Sequence, residues 1–305
     1  MSAASPDLDV ASSELVIAAP GSGPGFWAGG PSVALGDDAI YLAYRLRRPV
    51  SEGRGYANVV ARSTDGVAFE TIAVVHRDEM VCASLERPAL VRRPDGGWRL
   101  FVSLSTPRSK HWWIEALDAD EPEDLSPDSR FVAWPGDEST AVKDPVVLVD
   151  AQGVWHAWVC CHPLDVAGEE DRMVSRYARS ENGVDWTWGD VVLSPDAGGW
   201  DRRGRRVTSI VPRSDGSVVG YYDGRADSAE NWYERTGLLH GSSVGGALAV
   251  SDPAVALGSP HDGRTLRYVS MIDLGDGTGR AYFEAAAADG SNEIRTQVVS
   301  LSTVR

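Results

Sequence analysis

Cysteine, cationic charge and long apolar runs are all scarce in this chain. Of 305 residues three are cysteines, Cys82 and the adjacent Cys160 and Cys161. An odd number without a C-x-x-C spacing makes no disulfide framework and no thiolate metal site, so buried reduced thiols are expected. The six histidines include no H-E-x-x-H pair, and the sequence calls for no metal and no cofactor. Lys and Arg number 29 against 44 Asp and Glu, a formal charge of −15. A chain so short of cations is not a general nucleic-acid binder, whose affinity rests on neutralised phosphates and released counterions. No apolar run reaches the roughly 18 residues of a membrane-spanning helix, and the opening MSAASPDLDV lacks the basic and apolar segments of a signal peptide. A soluble, cytoplasmic protein with no membrane association is expected. Nothing in the sequence sets an oligomeric state.

Helical periodicity is also scarce. In its place, short runs alternating apolar and polar residues recur at 40–44, 98–103, 154–159, 218–222 and 280–284. Each follows a tight-turn signal: Gly36-Asp37-Asp38, Asp95-Gly96-Gly97, Ala151-Gln152-Gly153, Ser214-Asp215-Gly216 and Gly275-Asp276-Gly277. Another apolar strand precedes every turn, so the unit is a hairpin repeated at intervals of about 60 residues, the period of a propeller with four-stranded blades. The predicted fold is therefore all-β, a five-bladed β-propeller in one domain over residues 1–305. A second repeat, S-x-(D/N)-G-x-x-(F/W), appears at Ser63 to Phe69 and Ser180 to Trp186. Its turn residues and aromatic assign it a structural role. The last unit is one strand short, and residues 12–19 supply a strand that closes the ring. Residues 1–11 read as a flexible tail.

Loop lengths distinguish the two ends of such a ring. Turns within the inner and outer hairpins are short, whereas the other connections, at 45–56, 106–113, 161–172 and 223–235, are long and chemically rich, as are the blade junctions. At the starts of the innermost strands stand Gly29-Gly30-Pro31-Ser32, Glu86-Arg87-Pro88, Lys143-Asp144-Pro145, Arg205-Arg206-Val207-Thr208 and Arg267-Tyr268. A cluster of acids and arginines near the axis is costly to desolvate unless a ligand satisfies it, although pairing of Glu86 and Asp144 with Arg87, Lys143 or Arg206 simply to cap strand ends explains the same residues. Arg87, Lys143, Arg206, Arg225 and Arg267, with Arg202, Arg203 and Arg205, make this face basic and suited to a carboxylate or phosphate. Trp27 and Trp112 offer flat faces to a sugar ring, and His162 and His261 complete the candidate binding set. Trp112 and Trp113 must point to opposite sides in an extended segment, so at most one reaches a ligand.

Strands beginning D-P or R-P, D-G hairpins and the S-x-D-G-x-x-W turn together resemble the five-bladed propeller glycosidases, the arabinanase and fructosidase group that includes glycoside hydrolase families 43, 32 and 130. Lys143-Asp144-Pro145-Val146-Val147 with Asp150-Ala151-Gln152-Gly153 is similar to that group's third-blade segment, whose Asp orients and tunes the general acid. The resemblance thus implies Asp144 as the principal residue. It also implies a base Asp before the first-blade Pro, where this chain has Gly30, and an acid Glu entering blade four, where it has Val207-Thr208. Glycoside cleavage usually needs two carboxyl groups. Glu86, Asp223 and Glu284 are the replacement candidates, with Asp201 and Glu230 behind them. The expected function is cleavage of a small, anionic glycoside in an axial pocket. A phosphorolytic variant, recruitment to a lyase, isomerase or cyclase reaction, and a non-catalytic metabolite-binding propeller remain as alternatives.

Overall fold

The computed structural model describes residues 8–261 and 264–301, which form an almost purely β structure of twenty strands and five short 3-10 turns. The first strands are β1 (Glu14–Ile17), β2 (Trp27–Leu35), β3 (Ile40–Arg47), β4 (Gly55–Ser63) and β5 (Glu70–His76). Three four-stranded antiparallel sheets follow. They are β6 (Ala89–Arg92), β7 (Trp98–Ser105), β8 (Trp112–Ala119) and β9 (Phe131–Trp134); then β10 (Thr140–Val149), β11 (Trp155–Pro163), β12 (Val174–Ser180) and β13 (Thr187–Leu193); then β14 (Gly204–Pro212), β15 (Val218–Arg225), β16 (Arg235–Gly241) and β17 (Leu248–Val250). Last come β18 (Leu266–Asp273), β19 (Thr278–Ala286) and β20 (Asn292–Ser300), which share an eight-stranded sheet with β1 to β5. In that sheet two antiparallel groups meet at one parallel pair, Trp27 opposite Asn292. Among the described residues no helix is long and apolar enough to cross a membrane.

Strand periodicity explains how the sheets pack. Tyr41 and Ala43 of β3 join Leu90, Leu100 and Val102 of the next sheet in one core, while the intervening Leu42 and Tyr44 join Tyr282 and Ile294 in another. Consecutive side chains of a strand point to opposite faces, so a strand covered on both sides serves two cores. The same division recurs around the molecule, giving five hydrophobic clusters among the described residues. The first strand of each group contacts the next in turn, β2 with β6, β6 with β10, β10 with β14, β14 with β18, and β18 again with β2. The inner strands therefore close a ring.

β1 lies antiparallel on β20, with Glu14 opposite Thr296 and Leu15 opposite Arg295. It fills the place left by the missing strand of the last group, as the strand count predicts. Arg295 anchors it by donating to Ser13 Oγ and the Ser13 carbonyl, both at 2.7 Å. The flexible-tail expectation fails for residues 8–11: Leu8 and Val10 are buried beside Val269, Phe283 and Val299, and Asp9 accepts the Ala11 N–H to cap a 3-10 turn. Two apolar side chains in a polar segment look like tail, yet an apolar site between sheets is where they lose most water-exposed area. Residues 1–7 of that tail lie outside the described residues.

The repeated turn motif is structural. Ser63 Oγ accepts the Gly66 N–H at 2.8 Å, and Asp65 Oδ1 accepts those of Val67 and Ala68 at 2.8 and 2.9 Å. Ser180 and Asn182 repeat the pattern with Gly183, Val184 and Asp185. Gly66 and Gly183 sit at φ +78° and +71°, a left-handed turn position that favours glycine. Phe69 packs edge-on to Tyr282 and Trp186 packs against Trp134.

Candidate functional site

Bulges in the inner strands aim residues at the centre of the ring. The register slips between Gly29 and Ser32 in β2, Lys143 and Val146 in β10, Val207 and Ser209 in β14, and Arg267 and Ser270 in β18. Three of these bulges hold a residue in the left-handed region, Gly30 at φ +61°, Asp144 at +51° and Tyr268 at +54°. For Asp and Tyr that conformation costs on the order of 1 kcal/mol or more, and it persists where surrounding contacts over-determine it. Here the contacts are ionic. Across the hairpins the inner residues face Arg45, Cys160, Asp223 and Glu284 on the second strands, opposite Gly29, Lys143, Arg206 and Arg267 respectively.

Above this ring lies a cavity of ≈ 270 Å³. Its wall draws Arg45, Arg47 and Arg54 from the first long connection, Lys110 and Trp112 from the second, and His162, Glu170 and Asp171 from the third. The fourth contributes Arg225, Trp232 and Glu234, and the floor carries Glu86, Lys143, Arg206, Arg267 and Tyr268. Eight cationic side chains thus face four carboxylates. Of the expected site residues, Glu86, Lys143, Arg206, Arg225, Arg267, Trp112 and His162 line this cavity. Trp112 lies under Lys143 Nζ, 5.0 Å from the ring centroid, whereas its neighbour Trp113 turns away to bond Glu115.

Asp144, Asp223 and Glu284 do not reach the cavity surface. All three are fully buried beneath it and hold the cations that do. Asp144 accepts from Arg206 Nη1 at 3.0 Å, from the Tyr268 hydroxyl at 3.2 Å and from the Arg87 N–H at 3.2 Å. Asp223 takes Arg206 Nη2 at 2.7 Å and the Tyr268 N–H at 3.1 Å. Glu284 takes Arg267 Nε at 2.8 Å and the Gly30 N–H at 3.1 Å. A Cβ on Gly29 would overlap the Glu284 carboxylate, which explains the glycine pair at this bulge. The base position that the resemblance implied is occupied by backbone bonded to Glu284.

Three expected binding residues lie elsewhere. Arg87 points away from the cavity to the carbonyls of Pro31 and Thr208. Trp27 is buried against Arg47, whose guanidinium carbon lies 4.1 Å from its ring centroid and 4.8 Å from that of Trp232. His261 donates its backbone N–H to Ser259 Oγ and is not part of the wall. Conversely, sequence reading passed over Glu234, Arg45 and Arg47. Glu234 accepts from Arg206 and Arg267 at 2.8 and 2.9 Å and pairs with Arg225 at 2.9 Å. Its signal was available in the charge flanked by aromatics at the end of the fourth long connection, Trp232-Tyr233-Glu234.

Charge and burial compete at each group. Burial alone would raise Glu86, but Arg45, Lys143, Arg47 and Arg54 together hold it well below the usual carboxylate range. Glu234 is likewise held low against burial by Arg206, Arg225 and Arg267, and Asp144 by Lys143 and Arg206. Asp223 goes the other way, raised to about 6 by burial despite Arg206. Burial also pushes His162 down to about 3, so it is neutral, with Nδ1 2.7 Å from the Glu170 carbonyl. Several guanidinium nitrogens remain buried with no hydrogen-bond partner: Nε of Arg45, Arg47, Arg206 and Arg225, and Nη2 of Arg45, which lies 3.6 Å from Glu284. Unsatisfied donors of this kind in a water-excluded cleft are binding capacity for an anion. Among the described residues no group of three or more His, Cys, Asp or Glu side chains is placed to hold a metal ion.

No protein-family model and no curated protein matches the sequence. Among solved structures, the chain superimposes on a thermostable family-43 glycoside hydrolase with a TM-score of 0.68 at 13% identity, covering 93% of this chain and 91% of that one. The GH43_1 enzyme from Xanthomonas citri complexed with xylose gives 0.68 at 17% identity over 93% and 90%. A β-1,2-mannobiose phosphorylase from Listeria innocua gives 0.63 at 13% over 91% and 90%. At these identities the likeness establishes the fold. The class is defined by fold: a β-propeller of the kind seen in these glycoside hydrolases and this phosphorylase.

Proposed function

We propose that this protein is a single-domain, five-bladed propeller that cleaves the glycosidic bond of a small anionic glycoside in the cavity above Glu86 and Arg206. Dividing the eight-stranded sheet at its parallel pair, together with the ring of inner strands, supports the count of five blades. The observation that carries the functional reading is the lining of eight cations, several with guanidinium nitrogens that lack a hydrogen-bond partner, around carboxylates at the cavity surface. Arg45, Arg47 and Arg225 bind the substrate's anionic group, bidentate where the fork allows. Glu86, ionised, takes a proton from water as the water attacks the anomeric carbon, and the cation cluster stabilises charge on the departing oxygen. Asp144, Asp223 and Glu284 are positioning residues that hold Arg206 and Arg267.

The structural neighbours support a carbohydrate substrate. The test is a screen of aryl uronides, neutral aryl glycosides and sugar phosphates, with and without inorganic phosphate. Cleavage of the acidic members, falling at least about a hundredfold in Glu86→Gln when assayed below that variant's own lowered melting temperature, is the expected result. A second reading is favoured by one feature: Glu86 and Glu234 are both ion-paired and held deprotonated, so no carboxylic acid stands ready to protonate a leaving group. Tight binding of a uronide with no turnover of any substrate selects a non-catalytic sugar-acid binder.

A further inference from the structure

Arg87 is 2% exposed, and no ion pair to its guanidinium occurs among the described residues. Nε and Nη2 donate to the Pro31 carbonyl at 3.2 and 3.0 Å, Nη2 also to the Thr208 carbonyl at 2.8 Å, and Nη1 is buried with no acceptor. Thr208 Oγ1, also fully buried, has no partner either. Both residues line a second cavity, of ≈ 450 Å³, formed by the downstream ends of the inner strands, away from the site above. Two more hydroxyls face it, those of Ser32 and Ser270, each accepting a backbone N–H at 3.0 Å from Leu90 and Val33. The rest of the wall carries Leu90, Val146, Ile210 and Met271, with Arg92 and Asp273 at the strand ends. The Asp144 and Asp223 carboxylates act on this guanidinium through space without bonding to it, and a buried guanidinium nitrogen with no acceptor is unfavourable unless something supplies one.

We propose that this second cavity binds a carboxylate carrying a short apolar tail, the carboxylate on Arg87 and Thr208 and the tail along Leu90, Ile210 and Met271. The space is far larger than a bare ion needs; Arg87, Thr208, Ser32 and Ser270 stand at one end, Arg92 and Asp273 at the downstream strand ends, and apolar wall lies between them. Burial lowers Arg87 only to about 10, so it remains a cation at neutral pH. The site uses no residue of the upper cavity.

Calorimetric titration of the full chain in chloride-free buffer at pH 7 with acetate, hexanoate, octanoate and octanol tests this. Octanoate should bind about tenfold more tightly than hexanoate, since two further methylenes are buried, and at least about tenfold more tightly than octanol, which lacks the charge. Thr208→Val, which removes a hydroxyl that no protein group uses, should weaken octanoate several-fold with melting unchanged. Arg87→Leu should abolish binding, but its loss also frees two carbonyls, so Thr208→Val is the variant that decides. Glu86→Gln, in the upper cavity, should leave octanoate affinity unaltered, which separates this site from the proposed glycoside site. No heat with octanoate, equal affinity for octanoate and octanol, acetate binding as tightly as octanoate, or indifference to Thr208→Val would each overturn the proposal.

Discussion

Asp144 and Asp65 show how differently two aspartates are used. Asp144 lies among Lys143, Arg206 and Tyr268 with no solvent contact, so Asp144→Asn leaves Arg206 short of one charge partner in a buried network. Breaking such a pair costs on the order of 3 kcal/mol. The expected outcome is a melting temperature several degrees lower together with loss of ligand binding in the upper cavity. Unchanged melting would show that Arg206 does not depend on this carboxylate. Asp65 accepts two backbone N–H groups at a surface turn, and the sister motif performs the same task with Asn182. Asp65→Asn should therefore stay within about 0.5 kcal/mol of the parent in chemical denaturation.

The buried carboxylates also set the response to pH. Glu86 and Glu234 have folded values below their ordinary 4.5, so they contribute stability above that pH and lose it as pH falls toward their folded values. Asp223, raised from 3.8 to about 6, contributes with the opposite sign. Between those limits the folded state holds a proton that the unfolded chain has released, and stability from this group declines as pH rises. Melting curves from pH 4 to 7 should therefore show the parent losing stability relative to Asp223→Asn across that window. A constant difference would refute the raised value.

At the scale of elements, the inner strands are specified by where they break the ladder. Gly29 lets the Glu284 carboxylate approach β2 and receive the Gly30 N–H. Gly29→Ala should destabilise by at least about 1 kcal/mol through that collision. Glu284→Ala removes the colliding group at the cost of leaving Arg267 without one carboxylate, so the double variant should lose less than the sum of the two singles. Additive losses in a double-mutant cycle would mean the two residues do not compete for the space. The hairpin turns and strand runs behind these bulges were legible in advance because their chemistry is local: Asp and Gly make the turn, and alternation marks the strand. The bulges were not legible, since a register slip depends on what the neighbouring strand and its side chains require.

For the molecule as a whole, closure is made by an N-terminal segment held by hydrogen bonds and apolar packing. Removing residues 1–17 strips β1 from β20 and Leu8 and Val10 from their core. The exposed β20 edge then offers unpaired backbone groups to another chain. Size-exclusion chromatography with light scattering should show oligomers or aggregate and a lower melting temperature. A monomer as stable as the parent would mean β1 is dispensable.

The sequence by itself determined the all-β character, the repeat of hairpins, the strand borrowed from the N-terminal end and the face on which chemistry-bearing connections gather. Each of these follows from local turn chemistry, period-two patterning and loop length. Only the tertiary structure decided which charged residues meet. Asp144 and Tyr268 are 124 residues apart and Arg206 and Glu234 are 28 apart, and no spacing rule connects such positions. It also divided the carboxylates into Glu86 and Glu234, which face the cavity, and Asp144, Asp223 and Glu284, which lie beneath it. It turned Arg87 to the other end of the ring. The physical reason is that buried charges must find partners wherever the converging inner strands bring them, so long-range pairing, which the linear order of residues does not encode, sets the direction in which each side chain points.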